Sequence, residues 1–226
     1  MKSEELNALE TIKTKMGNTI NLIGTPSPIT HHPSLIIGVF HGDEPQGKFL
    51  IEEYLKTAPS LELKTPRRGL LFIPCLNPDG LQLRTRTNAN GVDLNRNFPT
   101  KNWGEDTSKA GNNPSDYFGG EHAGSEIETQ FVIDVIEKYK PELIITLHAP
   151  YKVVNYDGPA REIAEKISKI IKYPVEESIG YPTPGSFGTY AGIEKRVPTI
   201  TLELDDTCPI ENLTEPVHTI FDLFLC

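Results

Sequence analysis

Ser34-Leu35-Ile36-Ile37-Gly38-Val39-Phe40-His41-Gly42-Asp43-Glu44-Pro45 decides the fold. The first seven residues are apolar or small, a run that suits a strand buried on both faces and is short for a core helix. A polar turn stops it, and the stretch that follows, to about Leu55, reads as a helix. The alternation repeats outward. Residues 69–74, 142–148 and 197–204 read as further buried strands. Residues 125–139, 158–172 and 213–225 read as helices, the first opened by Ser125 and Glu128 at capping-box spacing. Strands alternating with helices predict an α/β fold. Three of the predicted strands end at or beside His41, His148 and Glu203. In open α/β sheets, ligands gather outside the carboxyl ends of the strands.

Composition bounds the rest. The chain has 226 residues, 22 basic against 31 acidic, for a formal net charge of −9. That length suits one α/β domain spanning residues 1–226. With 37% apolar residues it has enough to bury a core, and with no basic run it points away from nucleic acid and anionic membrane as partners. No run of 18 apolar residues occurs, so no membrane span is expected. The start, Met1-Lys2-Ser3-Glu4-Glu5-Leu6, is polar and acidic rather than basic and then apolar, which predicts a cytoplasmic location. Cys75, Cys208 and Cys226 are odd in number and match no zinc-ribbon or redox spacing; Cys75 reads as a small core residue. Oligomeric state is not legible.

His41-x-x-Glu44 is a candidate metal pair, two donors on one tight turn with Gly42 allowing the backbone to bend. Alone it reads equally well as a polar loop. His148 closes an apolar strand and is a candidate third donor, although a histidine there is as often a satisfied core residue. His31, His32, His122 and His218 sit in plainer settings and read as solvated or capping side chains. Residues 77–124, rich in glycine and asparagine and without periodicity, read as a long ordered loop region of functional type.

That region holds Asn77-Pro78-Asp79-Gly80, Arg86-Thr87-Asn88 and Gly91-Val92-Asp93-Leu94-Asn95-Arg96-Asn97-Phe98-Pro99. Together with His41-Gly42-Asp43-Glu44, His148 and Glu203, these blocks make the chain resemble the zinc carboxypeptidase A-like family, in the same order over about three-quarters of its length. Within it, the segment from Tyr181 to Tyr190 resembles the short murein tripeptide amidases, γ-D-glutamyl-meso-diaminopimelate peptidases. The resemblance implies a twisted mixed sheet with helices on both faces and one zinc ion held by His41, Glu44 and His148. It implies Glu203 as general base and Arg86 as the cation that polarises the scissile carbonyl. Asn95 and Arg96 would grip a free terminal carboxylate, and Asp93 would orient His41. Tyr181 is the counterpart of a substrate-capping tyrosine, one residue out of the family's usual spacing, with Tyr190 as the alternative. The implied substrate is a small murein peptide.

These roles are chemically coherent. Amide hydrolysis needs a carboxylate near the metal to take and return a proton, and the oxyanion needs a preorganised cation. A planar guanidinium suits bidentate carboxylate recognition. Three alternatives stay open: a generic or DL-carboxypeptidase on the same fold, an aspartoacylase-like deacylase, and a metal-free peptide-binding module.

Overall fold

A computed structural model describes residues 8–24, 32–57, 69–105, 114–177, 181 and 183–224. Eight strands form one mixed sheet: β1 (Ala8–Lys13), β2 (Thr19–Gly24), β3 (Ser34–Gly38), β4 (Leu70–Ile73), β5 (Leu143–His148), β6 (Val153–Asp157), β7 (Val175–Glu176) and β8 (Thr199–Glu203). They lie in the order β1-β2-β4-β3-β5-β8-β6-β7. The β4-β3-β5-β8 centre is parallel; β1 pairs with β2, β2 with β4 and β6 with β8 antiparallel, and β7 runs parallel to β6. The buried strands expected around residues 34–40, 69–74, 142–148 and 197–204 are this parallel centre. The outer strands β1, β2, β6 and β7 carry no such apolar run and escaped the sequence reading.

Period-two alternation sends successive side chains to opposite faces, and each face has its own core. On one face Ile36, Phe72, Ile145, Leu147, Ile200 and Leu202 meet α1 (Gln46–Thr57), α4 (Arg161–Ile171) and α5 (Glu211–Leu223). On the other, Leu35, Ile37, Leu71, Ile73 and Ile144 meet α3 (Ile127–Tyr139) together with Phe98, Phe187 and Tyr190. The second face turns polar at the carboxyl ends. His148 and Glu203 stand in register on adjacent parallel strands and so emerge side by side.

Local differences from expectation have physical causes. The first strand ends at Gly38, because Val39 takes φ 57°. A β-branched residue there is strained by about 1–2 kcal/mol, and the turn re-aims Phe40 and His41. Ser125 does not cap α3: its hydroxyl donates to Glu126 Oε1, and Glu126 occupies the N-cap without a side-chain cap bond. The long loop region contains a short helix, α2 (Pro78–Leu83), capped by Asn77, and a 3₁₀ turn at Leu94–Arg96. Cys75 is half-buried rather than fully in the core, and burial pushes its thiol up to about 12; Cys226 lies outside the described residues. Among those residues no helix is long and apolar enough to cross a membrane.

Gly47 shows what seats α1 on the sheet. A Cβ there would fall 2.9 Å from Gly38 Cα and 3.1 Å from Leu147 Cβ. Helix propensity favours Ala over Gly by about 1 kcal/mol, whereas overpacking costs about 1–3 kcal/mol, and the obstacle is backbone. Gly47→Ala should therefore lower the urea midpoint despite the better helix former; a raised midpoint would show that α1 shifts freely.

Candidate metal centre

His41 and Glu44 reach the site from the turn after β3, and His148 from the end of β5. His41 Nδ1 lies 2.7 Å from Glu44 Oε1, and His148 Nδ1 lies 3.1 Å from Glu44 Oε2. One donor atom from each of the three falls within 4.8 Å of the other two. The imidazoles pack edge to face at 4.8 Å, with Phe40 stacked on His148 at 5.3 Å. Two neutral-capable imidazoles and one carboxylate, converging from a rigid sheet with room on one side, match the donor set of a catalytic zinc site. Burial lowers the basicity of His41, but the Glu44 and Asp93 carboxylates outweigh it and raise the imidazole to about 9. Glu44, despite burial, is held well below the usual carboxylate range by His41 and His148.

The turn bearing these donors fits because of two glycines. A Cβ on Gly42 would stand 2.0 Å from the carbonyl carbon of Gly80, so the His-x-x-Glu turn lies backbone to backbone on α2. Asn77 ties the two together, its amide donating to the Phe40 carbonyl at 3.2 Å and its side-chain oxygen accepting from Gly80 N at 2.9 Å. The sequence blocks His41–Glu44 and Asn77–Gly80 are thus halves of one contact.

Asp93 is wholly buried and serves more groups than the sequence reading gave it. Its Oδ1 lies 3.3 Å from His41 Nε2 and accepts from Asn95 N at 2.8 Å. Its Oδ2 takes both Nε and Nη2 of Arg86 at 3.1 Å. Burial alone would raise its pKa; the Arg86 guanidinium and His41 hold it far below the normal range. Arg86 is left with Nη1 3.7 Å from Glu44 Oε1, facing the metal donors. Asn95 does not offer its oxygen to the cavity, since that oxygen accepts from Phe187 N at 2.8 Å.

Arg96 is 2% exposed; Nη1 donates to the Asn95 carbonyl, while Nε and Nη2 have no partner among the described residues. Tyr117, which sequence reasoning missed, lies against both arginines, 5.1 Å from Arg86 and 5.6 Å from Arg96. It follows a stretch without periodicity, so nothing local marks it. Glu203 is 6% exposed, and its Oε2 is also unpartnered. Burial raises its pKa, as does Glu44, against the opposing pull of His148.

The three metal donors, both arginines, Tyr117 and Glu203 line one cavity of about 370 Å³, with Tyr181 on its wall. Tyr190, the alternative to Tyr181, is 4% exposed and packed 5.5 Å from Phe98. His122 and His218 lie elsewhere, His218 against the Leu50 carbonyl at 2.9 Å; His31 is outside the described residues.

Known proteins resemble the chain in sequence and in fold. The sequence signature of the zinc carboxypeptidases matches residues 30–209. Murein peptide amidase A of Escherichia coli K12 is 38% identical over 177 residues, covering 75% of this chain and 70% of that protein. Its Vibrio campbellii namesake is 36% identical over 177 residues, covering 75% and 68%. The crystal structure of the murein-tripeptide amidase from Escherichia coli O157 superposes with a TM-score of 0.79 at 27% identity, over 95% of this chain and 90% of that one. The Helicoverpa armigera carboxypeptidase A shares the fold at a TM-score of 0.74 and 18% identity, covering 96% and 68%.

Asp93→Asn should weaken zinc affinity about 10- to 100-fold, the usual cost of losing a carboxylate behind a ligating histidine. Competition against a chromogenic chelator measures this, and unchanged affinity would separate Asp93 from the metal donors.

Proposed function

The chain belongs to the zinc carboxypeptidase family, and from that membership we propose that it is a murein peptide amidase, cleaving the amide between γ-D-glutamate and meso-diaminopimelate in a short murein peptide. One observation carries the reading beyond the family. Buried polar atoms on Arg96 and Glu203 lack any protein partner among the described residues, and both side chains line one cavity with His41, Glu44 and His148. Buried polar groups are nearly always satisfied, so unmatched donors and an unmatched acceptor in one cavity mark where substrate supplies the partners.

Zinc held by His41, Glu44 and His148 would supply a Lewis acid that acidifies water and polarises a carbonyl. Glu203 takes a proton from the attacking water and returns it to the leaving nitrogen as the C–N bond breaks. The water oxygen ends in the new γ-carboxylate, and the proton completes the amine of diaminopimelate. Arg86, locked by Asp93, presents Nη1 where negative charge develops on the carbonyl oxygen. Arg96 offers the free Nε and Nη2 edge of its guanidinium, the geometry for a bidentate carboxylate. In a murein tripeptide, the diaminopimelate α-carboxylate is free to fill it. Asn95 accepts from Phe187 N through its side-chain oxygen, which leaves its amide nitrogen to donate to the same carboxylate from the cavity lining. Tyr181 covers the bound peptide from the cavity wall.

Mass spectrometry of products from a panel of murein peptides tests the bond cut: release of diaminopimelate from the tripeptide is expected, and cleavage of ordinary L-peptides alone would favour a generic carboxypeptidase. Glu203→Gln should keep its zinc and lose at least about 10²-fold in kcat, the scale of general-base catalysis; near-full turnover would remove Glu203 as the base. Arg96→Ala should raise KM far more for a substrate with a free terminal carboxylate than for its amidated counterpart. Equal effects would place the carboxylate elsewhere.

A further inference from the structure

Tyr117 lies against both arginines, and the mechanism above gives it no task. It ends the 3₁₀ turn Pro114–Tyr117 and is half-buried. The residues after it are tied to the Arg96 turn. The Phe118 carbonyl accepts from Asp93 N at 2.8 Å, and the Gly119 carbonyl accepts from Asn97 Nδ2 at 2.8 Å and from Trp103 Nε1 at 3.2 Å. The backbones meet closely as well. A Cβ on Gly119 would fall 2.6 Å from the Arg96 carbonyl oxygen, and one on Gly185 2.1 Å from the same atom. The Tyr117 ring therefore stands on a fixed base, with two guanidinium groups drawn to its π system.

A second cavity, of about 610 Å³, adjoins the first at this ring. Trp103, Phe118 and Pro184 give it apolar walls, and Glu105 adds an acidic group. Arg96 and Tyr117 line both cavities, and no other described residue does, so these two side chains are the partition. It stands where the substrate ends. Arg96 holds the terminal α-carboxylate, so a peptide that continued past that carboxyl group would continue past Arg96 and meet the Tyr117 ring. Arg96 by itself is an incomplete stop, because an amide carbonyl at the same place also accepts from a guanidinium. The ring is a physical one. Each further residue adds about 3.5 Å of chain, and forcing extra bulk into packed side chains is costly.

We propose that the Tyr117 ring is the stop that confines cleavage to peptides ending at the residue after the scissile bond, and that the cavity behind it admits one more residue once the ring is removed. The proposal rests on the amidase reading and adds the determinant of where the peptide must end. Two kinds of selection are then separate. Arg96 reads the charge of the terminal carboxylate, and Tyr117 excludes whatever lies beyond it. The apolar walls of the second cavity suit a small uncharged residue, whereas Glu105 opposes a second carboxylate there.

The test compares the zinc-loaded wild type with Tyr117→Ala and Tyr117→Phe on three forms of L-Ala-γ-D-Glu-meso-diaminopimelate: the free acid, the α-amide, and the peptide extended from that α-carboxyl group by glycinamide. The last two have both lost the carboxylate and differ only in the added residue, so the ratio of their kcat/KM values reads the wall apart from the charge. The wild type should cleave the extended form about 10- to 100-fold less well than the α-amide. Tyr117→Ala should raise kcat/KM for the extended form, and its ratio to the α-amide by about that factor, a gain that mere loosening of the two arginines would not give. Tyr117→Phe keeps the ring and should keep the ratio. A wild type indifferent to the extension, an extended form cleaved no faster by Tyr117→Ala, or a phenylalanine variant as permissive as the alanine one overturns the proposal. Should Tyr117→Ala fail to fold, Tyr117→Leu, which also removes the ring, is scored in the same way. Should the wild type cleave none of the three, the amidase reading fails by itself. The acid, amide and glycinamide forms of whichever panel peptide it does cleave then decide the role of Tyr117, and cleavage of no panel peptide overturns both.

Discussion

The buried Asp93 carboxylate holds the centre together. It contacts His41 of the β3 turn, takes two nitrogens of Arg86, and caps the turn that presents Asn95 and Arg96. A wholly buried carboxylate is tolerable only when paired and hydrogen-bonded, so its partners are fixed as firmly as it is. One anion thereby orients the His41 imidazole, fixes the Arg86 guanidinium and starts the turn that carries Asn95 and Arg96. Disturbing it should disturb all three together.

Around this hub the chain keeps several local features that stability alone would not choose. Val39 sits in the left-handed region at φ 57°, Gly42 meets the Gly80 backbone with no room for a Cβ, and Arg96 and Glu203 keep buried polar atoms without a hydrogen-bond partner among the described residues. Strain and unmatched polarity of this kind concentrate at functional sites. They gather on one side of the sheet, at and below the carboxyl ends of β3, β5 and β8, while the opposite face is a plain hydrophobic core under α1, α4 and α5. The division lets one face stabilise the fold while the other carries the site.

Which parts were legible follows from what each depended on. The parallel strands β3, β4, β5 and β8 are continuous apolar runs, because both faces are covered, and a run is visible locally. The hairpin β1–β2 and the strand β7 are only partly buried, and β6, though buried, is a short run broken by Asn155 and Asp157, so composition does not separate them from loops. Missing β6 meant missing Asn155 and Asp157 on the cavity wall, whose place depends wholly on pairing with β8. Phe187 packs 5.4 Å from Phe40 and 5.1 Å from Phe98 in the core, and its neighbour Gly188 lines the cavity. Tyr117 was equally hidden, since its partners are two arginines far back in the chain.

By itself the sequence determined the alternating architecture, the donors grouped on the His41–Glu44 turn and the polar blocks from Asn77 to Pro99, because period, turn chemistry and short-range spacing are local properties. Only the tertiary structure decided that His148 and Glu203 emerge side by side, that Asp93 serves histidine and arginine at once, that Tyr181 rather than Tyr190 faces the cavity, and that Tyr117 lies against both arginines. Each of these depends on strand register and on contacts between segments distant in the chain, where a shift of a single residue would turn every side chain to the other face.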